Sequence, residues 1–153
     1  MYKNQWTVLL VGGSSGIGKT QLTKALAQIY NTKIIEADDI CCAIKAMTTG
    51  DDYPAIHYWC GDLDWKTAGV EGNVQWLKHV SEELSNALRA IVDSHVEEAS
   101  PVIIEGDFIS VEFAASFEDP RVKALFIHES DQAQIVSNYL QREGGEPQKF
   151  RAS

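Results

Sequence analysis

Residues 13–20 have the residue types and spacing of a phosphate-binding loop, called the P-loop below. The segment reads GSSGIGKT and matches G-x-x-x-x-G-K-[S/T] at every fixed position. Its three glycines permit backbone angles that other residues avoid, so that successive N–H groups can converge on a phosphate. Lys19 supplies an ammonium for the outer phosphates, and the Thr20 hydroxyl suits Mg²⁺. The predicted phosphate-binding residues are Gly13, Ser14, Ser15, Gly16, Ile17, Gly18, Lys19 and Thr20.

The elements around this loop favour a parallel sheet. Residues 8–11, VLLV, form a continuous aliphatic run, which fits a strand buried on both faces. Apolar residues at helical spacing predict a helix over 19–30, and a second strand follows over 33–36. Strand, loop, helix and strand in this order require a right-handed crossover between parallel strands.

The remaining pattern extends this arrangement. It predicts a helix over 40–47, an irregular aromatic-rich stretch over 48–72, a long helix from 70 to 96, strands over 102–104 and 122–127, and a helix over 131–142. The fold class is therefore α/β, a three-layer α/β/α sandwich with a parallel sheet. We expect the strand order 2-3-1-4 and a ligand at the carboxyl ends of the strands.

Composition limits the function classes. A length of 153 residues predicts a single domain over 1–153. The formal net charge of −9 disfavours nucleic-acid and anionic-membrane partners, since both need an excess of cations. The three cysteines are Cys41, Cys42 and Cys60, whose spacing makes neither a disulfide framework nor a zinc site. With no apolar run long enough for a signal peptide or a membrane span, we expect a cytoplasmic protein.

Four segments together resemble one group of proteins. They are GGSSGIGKT at 12–20, EADDI at 36–40, YPAIHYW at 53–59 and VIIEGD at 102–107. In these the chain resembles the P-loop small-molecule kinases of the nucleoside-monophosphate-kinase-like superfamily. It is most similar to 2-phosphoglycerate kinase-type and chloramphenicol phosphotransferase-type members. The resemblance covers residues 6 to about 151, and it implies the P-loop NTPase fold, ATP and Mg²⁺ as cofactors, and a small hydroxylated or phosphorylated metabolite as phosphate acceptor.

The same resemblance assigns roles to several acids. It makes Asp38 the residue that orients or deprotonates the acceptor hydroxyl, with Asp39 as the substitute. Either acid could instead cap the helix expected from residue 40. The resemblance also places Glu105 and Asp107, with Thr20, near Mg²⁺. For the two acids, the alternative is that each is an ordinary exposed carboxylate at a strand end.

A lid over residues 138–151 is the last feature that the resemblance implies. Its catalytic cations would be Arg142 and Arg151, with Lys149 between them, and they would neutralise charge on the transferring phosphoryl group. A solvated tail with incidental cations is the alternative. Many relatives carry an arginine three residues after the acceptor-side acid, where this chain has Cys41. That difference disfavours an anionic acceptor.

Two other function classes were weighed. A GTPase is disfavoured because the N-K-x-D motif is absent and Lys66 precedes Thr67-Ala68-Gly69, where a Mg²⁺-linked acid belongs. A nucleotide-binding protein with weak or no transfer stays open, because relatives have a fifth parallel strand and a final helix beyond the four strands expected here. A second subunit could complete such a site, so a homodimer also stays open.

Overall fold

The fold is seen in a computed structural model that describes residues 5–59 and 65–142. Ten elements follow one another along the chain. They are β1 (Val8–Gly12), α1 (Lys19–Tyr30), β2 (Lys33–Glu36), α2 (Ala37–Met47), α3 (Pro54–His57), α4 (Trp65–Glu97), β3 (Val102–Glu105), α5 (Val111–Ala115), β4 (Val122–Phe126) and α6 (Gln132–Arg142). No helix in this part of the chain combines the length and the apolar character needed to cross a membrane.

Four strands form one parallel sheet in the order β2-β3-β1-β4, which confirms the predicted order. The register pairs Glu105 at the end of β3 with Val11 of β1 on one side and with Glu36 of β2 on the other. Three neighbouring strands therefore end at the same level. The loops that follow them meet at one edge of the sheet, where open α/β sheets bind their ligands.

Helices cover both faces of this sheet. Val8 and Leu10 belong to a core that includes Leu84 and Leu88 of α4, together with residues of α2, α3 and α5. The intervening Leu9 and Val11 face the other way, into a smaller core containing Leu26 and Ala27 of α1. Alternate residues of a strand point to opposite faces, so two cores imply helices on both sides. The chain has the predicted three-layer α/β/α fold.

The structure departs from the sequence prediction in the helices. Helix α2 begins at Ala37, not at residue 40, because the extended Glu36 passes directly into it without a loop. Asp38 and Asp39 thus lie within its first turn, where acids favour the positive end of the helix dipole. The irregular stretch expected over 48–72 contains α3 and the start of α4, with a backbone break at Gly69 (φ 64°). The short helix α5 was not predicted.

Gly106 allows α2 to start against the end of β3. A Cβ atom at this position would lie 2.6 Å from the Cβ of Ala37, which is fully buried. Ala37 precedes Asp38, and Gly106 separates Glu105 from Asp107. The absence of a side chain at residue 106 therefore lets the acidic residues of two strand ends approach one another.

We predict that Gly106→Ala destabilises the protein because the new methyl group must displace Ala37. Overpacking of this kind costs about 1–3 kcal/mol, or roughly 2–10 °C in Tm for a domain of this size. Gly50→Ala is the matched control, since its Cβ would meet His57 Cβ at an ordinary 3.7 Å. Thermal unfolding followed by circular dichroism measures both. Equal Tm values for the two variants would contradict the close approach.

Candidate functional site

A cavity of about 500 Å³ opens at the carboxyl ends of the strands. The P-loop, the start of α2, the end of β3 and helix α6 contribute to it. Its lining residues are Ser15, Gly16, Gly18, Lys19, Thr20, Gln21, Glu36, Asp38, Glu105, Gly106, Asp107, Asn138 and Gln141. The fold thus brings most of the predicted phosphate-binding residues to the same place as the predicted acids Asp38, Glu105 and Asp107.

The P-loop has the backbone form that its glycines predict. Gly13, Gly16 and Gly18 have φ angles of 136°, 78° and 92°. Gly18 is the N-cap of α1, and no side chain caps this helix end. A Cβ at Gly18 would meet no atom within 4 Å, so the left-handed φ, not crowding, requires glycine there. Uncapped N–H groups at the start of a twelve-residue helix favour an anion.

Lys19 is held inside the cavity by two acceptors. Only 7% of the residue is exposed. Its Nζ donates to the carbonyl oxygen of Ser14 at 2.8 Å and to the carboxylate of Asp107. A buried ammonium needs such partners, because water no longer solvates it. Asp107 therefore accepts one of the hydrogen bonds that the Lys19 ammonium can donate.

Glu105 is a buried acid in need of a partner. Only 3% of the residue is exposed, and within the described residues neither carboxylate oxygen has a hydrogen-bond partner. Burying an unpaired carboxylate costs free energy, and a cation or an ordered water bound to its oxygens would reduce that cost. A hard divalent cation such as Mg²⁺ fits this oxygen donor.

A cation at this position would take few protein ligands. In residues 5–59 and 65–142, no three Asp, Glu, His or Cys side chains are grouped so as to hold a metal by themselves. Mg²⁺ commonly binds one or two carboxylates and completes its shell with water and phosphate oxygens. Glu105 and the exposed Thr20, which both line the cavity, fit that pattern. Asp107 would join them only after releasing Lys19.

Asp38 differs from its neighbour Asp39 in its surroundings. Asp38 lines the cavity, and Asp39 does not. The pKa of Asp38 is raised to about 6, and the largest cause is desolvation, since the cavity wall removes part of the water that reaches this side chain. The negative charges of Asp107, Glu36 and Glu105 contribute to the rise, and the positive charge of Lys19 opposes it. Its position in the cavity lining distinguishes Asp38 from Asp39.

Three lining residues were given no role from the sequence. Glu36 lies in the EADDI segment, and Asn138 and Gln141 lie at the start of the expected lid, but none was singled out as a site residue. The Asn138 side chain donates from Nδ2 to the carbonyl oxygen of Gly16 at 2.8 Å and accepts from Gln134 at 2.7 Å. This bond ties α6 to the P-loop. An asparagine within an amphipathic helix looks the same in sequence whether it faces solvent or a cavity.

The aromatic segment 53–59 is fixed against α4. Glu83 of α4 accepts hydrogen bonds from the N–H groups of Ala55 and Ile56, both at 2.9 Å. The ring of Trp59 meets that of Phe108 edge-on, with centroids 6.1 Å apart. None of the residues 53–59 lines the cavity. Their expected part in an acceptor pocket stays a prediction.

The lid cations lie largely beyond the described part of the chain. Arg142 is the last residue of α6, and its side chain is outside that part, as are Lys149 and Arg151. Asn138 and Gln141, at the start of the predicted lid, reach the cavity. The catalytic roles of Arg142 and Arg151 stay predictions.

Comparison with known proteins finds similarity in structure alone. No family model and no curated protein match the chain. A gluconokinase from Sinorhizobium meliloti 1021 is similar with a TM-score of 0.49 and 16% identity, over 95% of this chain and 70% of that one. An uncharacterised protein from Eubacterium ventriosum ATCC 27560 gives 0.48 and 16%, over 97% and 70%. At this identity the likenesses carry no information about substrate or activity.

We predict that Asp38→Asn stabilises the protein above about pH 6. The folded-state pKa of Asp38 lies near 6, against 3.8 ordinarily, so folding disfavours its charged form. The native protein therefore loses stability as the pH rises from about 4 to about 6, and the asparagine variant avoids that loss. Because solvent screens this exposed side chain, we expect a gain of only about 2–4 °C in Tm at pH 7.5.

The same gain should vanish at pH 4, where Asp38 is protonated in the folded protein. Asp39→Asn, on the same helical turn but outside the cavity lining, is the control. It loses a favourable interaction with the helix dipole and should show no gain in Tm at either pH value. Thermal scans over pH 4–8 measure the difference. A pH-independent gain, or an equal gain for the control, would contradict the assigned electrostatics.

Proposed function

We propose that this chain is an ATP- and Mg²⁺-dependent phosphotransferase of the P-loop small-molecule kinase type. Its acceptor would be a small hydroxylated or phosphorylated metabolite, as in 2-phosphoglycerate kinase-like proteins. One observation carries the proposal: a single cavity is lined both by the P-loop lysine and by a carboxylate whose pKa of about 6 suits proton transfer. A phosphate donor and an acceptor hydroxyl can therefore meet between Lys19 and Asp38.

Donor binding would use the backbone first. The N–H groups of the P-loop and of the first turn of α1 would receive the β- and γ-phosphates. Lys19 would exchange the Asp107 carboxylate for phosphate oxygens and keep its bond to Ser14. Its charge would then offset the negative charge that the transferring phosphoryl group carries.

The cation would be held by Thr20 and Glu105, with Asp107 available after it releases Lys19. When bound, Mg²⁺ neutralises phosphate charge and orients the phosphates for in-line transfer. The buried oxygens of Glu105, which have no partner in the described residues, are the feature that supports this assignment.

Asp38 would act on the acceptor. A carboxyl with a pKa near 6 is deprotonated at neutral pH and is a stronger base than an ordinary aspartate. It would accept the hydrogen bond of the acceptor hydroxyl and then its proton as the oxygen bonds to the γ-phosphorus. The bond from that phosphorus to the ADP oxygen breaks, so the products are ADP and a phosphate monoester.

One observation favours the second candidate, a nucleotide-binding protein with weak or no transfer. Among the lining residues of the described cavity, Lys19 is the only cation, and Asp107 already binds it. Neutralising the negative charge of the transition state would then depend on Arg142 and Arg151, whose side chains lie outside the described residues. ATP binding without transfer to any acceptor would support this candidate.

Transfer is tested with labelled ATP, Mg²⁺ and a set of hydroxylated metabolites. We predict that Asp38→Asn lowers kcat at least about 100-fold, because general-base catalysis commonly contributes that much. The KM for ATP should change little, since in this proposal the P-loop backbone and Lys19, not Asp38, hold the phosphates of ATP. Asp39→Asn is the matched control and should retain kcat. Unchanged turnover in Asp38→Asn would contradict the assignment of Asp38 as the base.

A further inference from the structure

The charges that line the cavity are strongly unbalanced. Among its described lining residues, four side chains are carboxylates and one is an ammonium. The carboxylates belong to Glu36, Asp38, Glu105 and Asp107, and the ammonium to Lys19. The whole sequence has an excess of negative charge, and this cavity shows the same excess locally, at the edge of the sheet where three strands end together.

The ammonium offsets only part of this imbalance. Lys19 donates its hydrogen bonds to Ser14 and Asp107, and its positive charge lowers the pKa of Asp38. Glu36 and Asp38 line the cavity at the junction of β2 and α2. The pKa of Asp38 is nevertheless raised, first by desolvation and then by the charges of Asp107, Glu36 and Glu105, which oppose its ionisation.

A second observation shows that the cavity favours positive charge. Both oxygens of the buried Glu105 carboxylate lack a hydrogen-bond partner within the described residues. Even with one divalent cation and Lys19 counted, the four carboxylates and a nucleoside triphosphate leave the filled cavity negative. An anionic acceptor would add to that repulsion, and a cationic acceptor would reduce it.

We propose that the phosphate acceptor of this site is a hydroxylated amine, a compound with a hydroxyl group and a positively charged amino group. The inference rests on the proposed function. The hydroxyl oxygen would attack the γ-phosphorus, its proton would pass to Asp38, and the bond to ADP would break. The ammonium group of the acceptor would lie against Glu36, the lining carboxylate to which the proposed function gives no other role.

Acceptors that share a carbon skeleton but differ in charge test this preference. Glucosamine, glucose and gluconate form one such set, and ethanolamine, ethylene glycol and glycolate another. With ATP and Mg²⁺, transfer is followed by ADP release and by the mass of the phosphorylated product. We expect kcat/KM to be at least about tenfold higher for the amine than for the carboxylate in each set. Equal or faster transfer to the carboxylates would overturn the assignment of the acceptor and leave the kinase function standing.

If none of the six compounds is phosphorylated, ligand-observed NMR gives their binding order in the presence of ATP and Mg²⁺. Tighter binding of the amines supports the charge preference, and equal or tighter binding of the carboxylates overturns it. Amine binding with no transfer to any hydroxylated amine would instead count against the proposed function. The two failures are thus distinguishable.

A variant locates the preference at the cavity wall. Glu36→Gln should raise the KM for glucosamine by up to about fivefold, the effect of one exposed ion pair, and leave that for glucose unchanged. Asp39→Asn is the matched control, because Asp39 is an exposed acid of the same segment outside the cavity lining. Equal changes for glucosamine and glucose would show that Glu36 acts on shape and not on charge.

Discussion

The ammonium group of Lys19 lies between the Ser14 carbonyl oxygen and the Asp107 carboxylate, in a cavity whose described wall carries three further carboxylates. This ion pair joins the buried positive charge of Lys19 to Asp107, a carboxylate that lines the cavity together with three others. In the proposed function, a polyphosphate would compete with Asp107 for the same ammonium. Binding a nucleotide would then rearrange the charges of the site, because the released Asp107 would become available to a cation.

The sheet makes this arrangement possible. Parallel strands in register end at one level, and the segments after β1, β2 and β3 each contribute polar groups there. Gly106 has no side chain, so α2 can begin directly against β3, which brings Asp38 near the acids of the next strand end. Desolvation in the cavity and repulsion from these acids together raise the pKa of Asp38 and lower the stability of the protein. Stability is commonly lost in this way at sites whose groups are arranged for chemistry.

Much of the fold could be predicted because its signals are local. The aliphatic run at residues 8–11 marked a doubly buried strand, and GSSGIGKT marked the turn into α1. The strand order followed from these elements and the P-loop resemblance, and it is confirmed. The start of α2 was misplaced because no loop residue separates it from β2. The glycines of the sequence favoured an irregular segment over 48–72, and the non-helical backbone at Gly69 does separate the first turn of α4 from the long helix expected from residue 70.

The site was predictable where a motif defines it and unpredictable where only tertiary packing does. Lys19 and Thr20 are predicted from the spacing of the P-loop motif, and the acids at the strand ends from the resemblance to P-loop kinases. The bond from Asn138 to Gly16 joins residues 122 positions apart in the chain, and no periodicity reveals it. The pairing of Lys19 with Asp107 is equally distant in sequence. Whether Asp38 or Asp39 faces the cavity depends on the first turn of α2, whose start was misplaced.

The central claim is that the P-loop and Lys19 bind a nucleoside triphosphate. Calorimetric titration of ATP into the folded protein, with and without Mg²⁺, tests it most directly. The account predicts one site whose heat depends on Mg²⁺, lost in Lys19→Ala and retained in Lys24→Ala, an exposed lysine of the same helix. Circular dichroism would confirm that each variant is folded. Absence of Mg²⁺-dependent heat in the folded wild-type protein, or equal binding by Lys19→Ala, would contradict the account.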